Sequence, residues 1–213
     1  MYEPLHTGLT KRAAIAGTPE REARRRKWRI GIARLELADI AAAFRSGGVA
    51  TPEIVWEPST RDCIGAINDF LVAHWCELSP TGRVPPVASI DPLFFKVALG
   101  YVHLLEPLEA GADFRFRVFG SLVSSVSGFD MTGHLMTEFD ASDYVVDFAI
   151  AASAAVVDCR KPLLIRRTPA GAAQTNIWER LTLPFADEGG AVRRLLIGSL
   201  PLRADGEVIR PTY

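Results

Sequence analysis

The sequence predicts an α+β fold in which an antiparallel sheet carries helices on one face. Two strand-like stretches lie near the middle of the chain and three more near its C-terminal end. Neighbouring strands with short connections favour antiparallel pairing. Residues 144–157, between the two groups, have the apolar spacing of a long helix. Because this helix must bury its apolar stripe, we expect it to pack on the sheet.

Residues 1–60 are interpreted as an extension made of a loose arm, a helix and a linker. Apolar residues recur at helical spacing over residues 19–44 and the pair Gly47-Gly48 follows, which predicts a single helix there. Residues 49–60 contain two prolines and are interpreted as the linker.

Residues 61–205 are predicted to form the main domain, and residues 206–213 a C-terminal tail. Prolines, glycines and apolar periodicity divide the domain into short elements. Helices are predicted at 61–78, 92–98, 120–126 and 144–157, and strands at 101–105, 114–119, 162–167, 177–183 and 192–200.

Charge is uneven along a chain whose net charge is only −1. Lys11 to Arg29 holds eight basic residues against two acidic ones, a local excess of +6, so the remainder carries −7. We interpret the run as a solvated helix face or flexible arm, as like-charge runs commonly are. The alternative is a contact with nucleic acid or an acidic partner. The basic run contains a single aromatic residue, Trp28, and no helix-turn-helix pattern follows the run. Nucleic acid is therefore not an expected partner.

The cysteines and the hydropathy indicate a cytoplasmic protein. Three cysteines at wide spacings form neither a disulfide framework nor a zinc motif, which fits a reducing compartment. No apolar run approaches the ~20 residues that span a bilayer, so no membrane contact is expected.

Four serines occupy seven positions from Ser121 to Ser127, but their setting does not predict catalysis. A nucleophile elbow needs Gly-x-Ser-x-Gly, and Gly120 and Gly128 are too far apart to frame one. No Gly-x-x-x-x-Gly-Lys occurs, which excludes a P-loop. The four histidines do not pair at a ligand spacing, so no protein-only metal site is expected. We therefore assign no catalytic residue and no metal ligand.

Four short motifs occur in an order that is similar to a bacterial subfamily of PAS domains. They are Trp75 with Pro85 and then Asp91-Pro92, the stretch from Phe116 to Gly120, Gly128 with Thr132-Gly133, and the stretch from Trp178 to Pro184. The resemblance covers roughly residues 70–202, and residues 1–60 lie outside it. It departs at His134, where the subfamily usually has a basic residue.

The resemblance implies a PAS-like five-stranded antiparallel sheet with helices that cover a small pocket, plus the N-terminal helical extension. The expected function is a non-enzymatic sensory or signalling domain that binds a small ligand or a signalling protein partner, as a homodimer. A lined cavity and an ordinary core would use the same side chains, so both interpretations stay open. The candidates for ligand binding are Phe116, Val118, His134, Phe148 and Leu181.

Two other functions stay open. A small enzyme could use His103 or His134 as a base with Asp140 or Asp143. A haem could bind through a single axial histidine, again His103 or His134. The simpler interpretations are a hydrogen-bonded sheet residue for His103, a loop residue for His134 and a helix N-cap for either aspartate. A histidine and a carboxylate within hydrogen-bond reach inside a closed cavity would favour the enzyme.

Overall fold

The computed structural model describes residues 17–169 and 175–210, so most of the predicted loose arm lies outside the described residues. Short 3₁₀ turns connect several of the elements in these residues. The helices are α1 Pro19–Arg34, α2 Ala38–Ser46, α3 Ala66–Leu78, α4 Ser121–Ser127 and α5 Asp143–Cys159. The strands are β1 Glu53–Trp56, β2 Val102–Leu108, β3 Asp113–Val118, β4 Leu163–Arg167, β5 Ile177–Ala186 and β6 Val192–Leu202.

The strands form one sheet in the order β1-β4-β5-β6-β2-β3, and each neighbouring pair is antiparallel. The predicted α+β class and the antiparallel order of β2 to β6 are confirmed. The sheet has a sixth strand, because β1 pairs with β4 from Glu53 opposite Arg166 to Trp56 opposite Leu163. The linker interpretation is wrong for these four residues. Prolines flank β1, which an edge strand tolerates.

Helices cover both faces of the sheet, whereas the sequence predicted helices on one face. Helix α5 packs on the face that carries Leu105, Ile165 and Ile197, and α1 packs in turn on α5. Helix α3 packs on the opposite face, which carries Leu164 and Leu196. The strands therefore bury both of their sides.

Glycine at position 198 of β6 lets α3 approach the sheet closely. A Cβ atom there would lie 2.0 Å from Asn68 Oδ1 and 2.7 Å from Leu71 Cδ1. The N-terminus of α3 is fixed by the buried Glu179 of β5, whose carboxylate accepts the backbone N–H groups of Ile64 at 2.8 Å and Gly65 at 3.0 Å. These contacts set the position of α3 on the sheet.

The single helix predicted over residues 19–44 is two helices. The chain turns at Leu35, whose φ of 59° is left-handed, and the Glu36 N–H donates to Gly31 O at 2.8 Å. Leucine seldom adopts this conformation, so the sequence carries no glycine signal for the break. The predicted helix over 92–98 is also absent, because these residues form turns before a 3₁₀ segment at Leu99–Tyr101. The long helix predicted over 144–157 is confirmed as α5.

Candidate functional site

A cavity lies between α5 and the sheet face that α5 covers. Its volume is about 90 Å³, which is several times the space that one water molecule needs. Most of its wall is apolar and aromatic, which is typical of small-molecule sites. The wall consists of His103, Phe116, Phe119, Val123, Ser127, Met136, Phe139, Val145, Val146, Phe148, Ala149, Ala152, Ser153, Ile165, Arg167, Trp178, Arg180, Thr182 and Ser199.

The spacing of small residues on α5 leaves this space open. Ala149, Ala152 and Ser153 lie three and four positions apart, so they share one face of the helix above the sheet. Val145 and Phe148 continue the same face. Short side chains at the centre of the face reach the sheet less deeply than the flanking ones, and the cavity follows from that difference in length.

Polar side chains form a strip across neighbouring strands on the cavity floor. Arg180 on β5 lies opposite Ser199 on β6, and Arg167 on β4 lies opposite Trp178 on β5. Arg167 and Arg180 are therefore diagonal neighbours on the same face of the sheet, a separation that long side chains bridge. Thr182 extends the strip along β5.

His103 stands at the end of this strip as a buried, neutral ring. The Gly120 N–H donates to its Nδ1 at 3.2 Å, and its ring stacks on Phe119 with 4.2 Å between centroids. Burial, and secondarily the positive charge of Arg180, holds the pKa of His103 well below its usual range. Because Nδ1 accepts a hydrogen bond in this neutral ring, Nε2 carries the proton. His103 therefore offers a donor and not a charge.

The two arginines of the strip have no acidic partner among the described residues. No Asp or Glu belongs to the cavity wall, and neither Arg167 nor Arg180 makes a hydrogen bond or ion pair with a described residue. Arg180 Nε is fully buried. Burial, and then the charge of Arg167, lowers the pKa of Arg180 to about 10. Burial also lowers the pKa of Arg167. Both guanidinium groups remain cationic near pH 7.

A family model described as a PAS domain matches residues 66–200, which is well over half of the chain. This chain belongs to the PAS domain family. The match begins at α3 and ends within β6, so α1, α2 and β1 lie outside it. No curated protein and no solved structure matches the chain. The predicted PAS resemblance is confirmed, while the bacterial subfamily stays a prediction.

Of the five residues predicted to bind a ligand, the PAS domain brings Phe116 and Phe148 together in the cavity wall. Val118 lies at the end of β3 and is 43% exposed. Leu181 is buried on the opposite sheet face, under α3. His134 lies outside the wall, with its Nδ1 3.2 Å from Glu138 Oε2. Binding of a ligand by Phe116 and Phe148 stays a prediction.

The polar strip is the part of the PAS cavity that the sequence interpretation missed. Residues 178, 180 and 182 alternate with Glu179, whose ion pair with Arg166 at 3.1 Å lies on the other face. Side chains alternate between the two faces of a strand, so once Glu179 is placed on one face, residues 178, 180 and 182 must face the cavity. This alternation was the available sequence evidence for the strip. His103 was interpreted as a hydrogen-bonded sheet residue, a base or a haem ligand, but not as part of the wall of a ligand cavity.

The alternatives based on a histidine do not fit this PAS cavity. Asp140 and Asp143 are not in its wall, so His103 has no carboxylate beside it there, and Asp143 instead accepts Arg21 Nη1 at 2.8 Å. The space is far smaller than a haem macrocycle, and His134 is outside it. Among the described residues, no helix is both long and apolar enough to cross a membrane.

The other side of α5 holds a buried carboxylate that α1 binds with three arginines. We name Arg21, Arg24, Arg25 and Asp147 the arginine clamp. Asp147 is 0% exposed, and it accepts Arg25 Nε at 2.7 Å and Arg21 Nη2 at 2.9 Å on Oδ1, and Arg24 Nε at 2.7 Å on Oδ2. Burial acts to raise the pKa of Asp147, but these hydrogen bonds outweigh it and the pKa is lowered.

The arginine clamp corrects the interpretation of the basic run as a solvated face. Arg21 and Arg25 are only 8% exposed, and Arg29 pairs with Asp158 at the far end of α5. Trp28 and Ile32 of α1 are buried beside them. The N-terminal extension is therefore docked on the PAS domain along α5.

Proposed function

We propose that this chain is a non-enzymatic PAS sensor that binds a small ligand between α5 and the sheet and signals through α1. The observation that carries the proposal is the position of α5. One of its faces forms the cavity wall with Phe148 and Ala152, and another holds Asp147 in the arginine clamp. A ligand that moves α5 necessarily acts on the contact with α1.

The coupling works as a shift between two populations of α1, docked and released. A ligand changes this equilibrium only if its affinity differs between the two states. Val146 and Phe148, which line the cavity, flank Asp147 along the helix, so a small rotation of α5 changes both sites together. Charged hydrogen bonds depend steeply on geometry, which makes the arginine clamp sensitive to that rotation.

The absence of a carboxylate from the described cavity wall supports a receptor over an enzyme. General acid–base catalysis needs a second polar group that orients the histidine or takes up its proton. His103 has a backbone N–H in that place, and its lowered pKa makes it a poor base near pH 7. Members of the PAS family are generally sensory domains rather than enzymes.

Native mass spectrometry of freshly purified protein, followed by a screen of small apolar molecules, tests the ligand. The matched variants are Ala149→Phe, which fills the cavity, and Ala42→Phe, an exposed change on α2. We expect a ligand mass shift in the wild type and in Ala42→Phe and no shift in Ala149→Phe. Hydrogen exchange in α1 should change on ligand addition. The proposal is contradicted if both variants bind the ligand equally well, or if the rate of hydrogen exchange in α1 is the same with and without ligand.

We further propose that the domain pairs with a second copy of itself through an exposed apolar patch. Pairing through an open face of the sheet is not available, since helices cover both faces. Leu93 is 83% exposed and Val97 70% exposed, with Phe94 and Leu99 beside them. Light scattering after size exclusion should give a dimer mass that Val97→Asp reduces to a monomer mass. A monomer at tens of micromolar in the wild type contradicts this pairing.

A further inference from the structure

We propose that the cavity takes a small amphipathic anion, with its carboxylate bound by Arg180 and Arg167 and its apolar part among the aromatic side chains. The inference rests on the proposed function, because it names the class of ligand for the same cavity. It depends on three features of the wall: uncompensated charge, an excess of hydrogen-bond donors and an apolar remainder.

The charge feature is clearest when neighbouring arginines on β4 are compared. Arg166 points to the opposite face, where Glu53 Oε1 lies 2.8 Å from its Nη1 and Glu179 Oε2 lies 3.1 Å from its Nε. Arg167, the next residue, faces the cavity and has no such partner among the described residues. Buried charges in proteins are paired, since an isolated one is costly to desolvate. The fold satisfies this rule on one face, and a bound anion would satisfy it on the other.

The hydrogen-bond feature points the same way. Besides the two guanidinium groups, His103 Nε2–H and Trp178 Nε1–H are donors without an acceptor among the described residues. Only hydroxyl groups such as Thr182 and Ser199 add acceptor capacity to the strip. The wall therefore offers more hydrogen-bond donors than acceptors. A carboxylate supplies two acceptor oxygens in the plane that an arginine fork matches.

The rest of the cavity selects the remainder of the ligand. Five of the twelve apolar side chains in the wall are aromatic, namely Phe116, Phe119, Phe139, Phe148 and Trp178. A strongly polar molecule would leave its own groups unpaired against them. The small space favours one ring or a short aliphatic chain over a long acyl chain. The class is thus a small aromatic or branched aliphatic carboxylate.

Calorimetric titration with phenylacetate and hexanoate, each beside its neutral amide, tests the inference. We expect the acids to bind and the amides to bind much more weakly. Arg180→Met and Arg167→Met should each weaken acid binding on the order of tenfold to a hundredfold, because hydrogen bonds to charged groups are strong. Arg45→Met on the exposed end of α2 is the control and should bind as the wild type does.

Two further readouts separate a binding role from a structural one. Without ligand, Arg180→Met should melt at the same temperature as the wild type or higher, since it removes a buried charge that lacks a partner. A structural arginine would lower the melting temperature instead. In the wild type, the ¹⁵N signal of Arg180 Nε should shift when phenylacetate is added. This measurement does not depend on whether any variant folds.

The failures of the two proposals are distinguishable. If the amides bind as tightly as the acids, the cavity remains a ligand site but the anion inference is overturned. If the acids bind to Arg180→Met and Arg167→Met as tightly as to the wild type, the anion inference is overturned too. If neither acid binds while a neutral compound is retained in the mass-spectrometric screen, the sensor proposal stands alone.

Discussion

Replacing Asp147 with asparagine should release α1 from the PAS domain. The substitution keeps the shape of the side chain but removes the charge that Arg21, Arg24 and Arg25 share. Breaking a buried ion pair at one partner costs about 3–5 kcal/mol, because the other charge is left buried and uncompensated. Asp143 remains for Arg21, but it is 60% exposed and compensates little.

This magnitude predicts a large change in the opening of α1. A loss of about 3–5 kcal/mol corresponds to roughly two to four orders of magnitude more frequent release, since about 1.4 kcal/mol is a factor of ten. Release exposes Trp28 and Ile32, which are buried in the docked state. It also exposes a run of arginines that trypsin recognises.

Limited trypsin digestion, with the cleavage sites mapped by mass spectrometry, measures the release directly. We expect Asp147→Asn to be cut within α1 far faster than the wild type. Asp158→Asn is the matched control, because its pair with Arg29 lies at the exposed end of the helix and should contribute only about 0–1 kcal/mol. If the two variants are cut at the same rate, the arginine clamp does not hold α1 and the coupling argument fails.

The remaining predictions concern the sheet. Glu179→Gln should lower the free energy of unfolding by about 3 kcal/mol or more, measured by urea titration, because Arg166 and the start of α3 lose a buried carboxylate. Gly198→Ala should cost about 1–3 kcal/mol in the same assay, since its methyl group would collide with Asn68; an unchanged midpoint would refute the close approach of α3. Because the fold lowers the pKa of His103, the unfolded chain binds more protons than the folded one below about pH 6.5. The contribution of His103 to the free energy of unfolding is therefore fully present above about pH 6.5. As the pH falls below that value, the free energy of unfolding decreases by up to about 1.4 kcal/mol per pH unit. His103→Gln should lose this part of the slope between pH 6.5 and 5.5, and an unaltered slope would contradict a neutral buried ring.

The fold could be predicted from the sequence wherever local chemistry determines the structure. Strands β2 to β6 have clear turn residues between them, and α5 has a long apolar stripe, so their order was readable. Strand β1 was missed because it is only four residues long and lies between Pro52 and Pro58. Its partner β4 is far along the chain, and nothing local to residues 53–56 indicates that pairing.

The site was only half predictable, because two-sided burial hides which way a side chain points. From Leu181 to Phe185 strand β5 is buried on both faces, and Thr182 is the one polar residue there that marks the cavity face. Leu181 was therefore expected at the cavity although it lies under α3, whereas Phe116 and Phe148 do line the cavity. The charges of α1 were equally ambiguous until a partner was visible. Asp147, which interrupts the apolar residues of α5 between Val146 and Phe148, was the available signal.

Strand β1 has a consequence for how another protein can recognise this domain. It lies along β4 at one edge of the sheet, and at the other edge the Gly133 N–H and the His134 carbonyl bond to Phe116 of β3. Within the described residues, neither border offers a long row of free backbone groups. A strand from another protein could therefore add only along the four residues of β1. A partner is expected to bind a side-chain surface, such as the exposed apolar patch at Leu93 and Val97, rather than to extend the sheet.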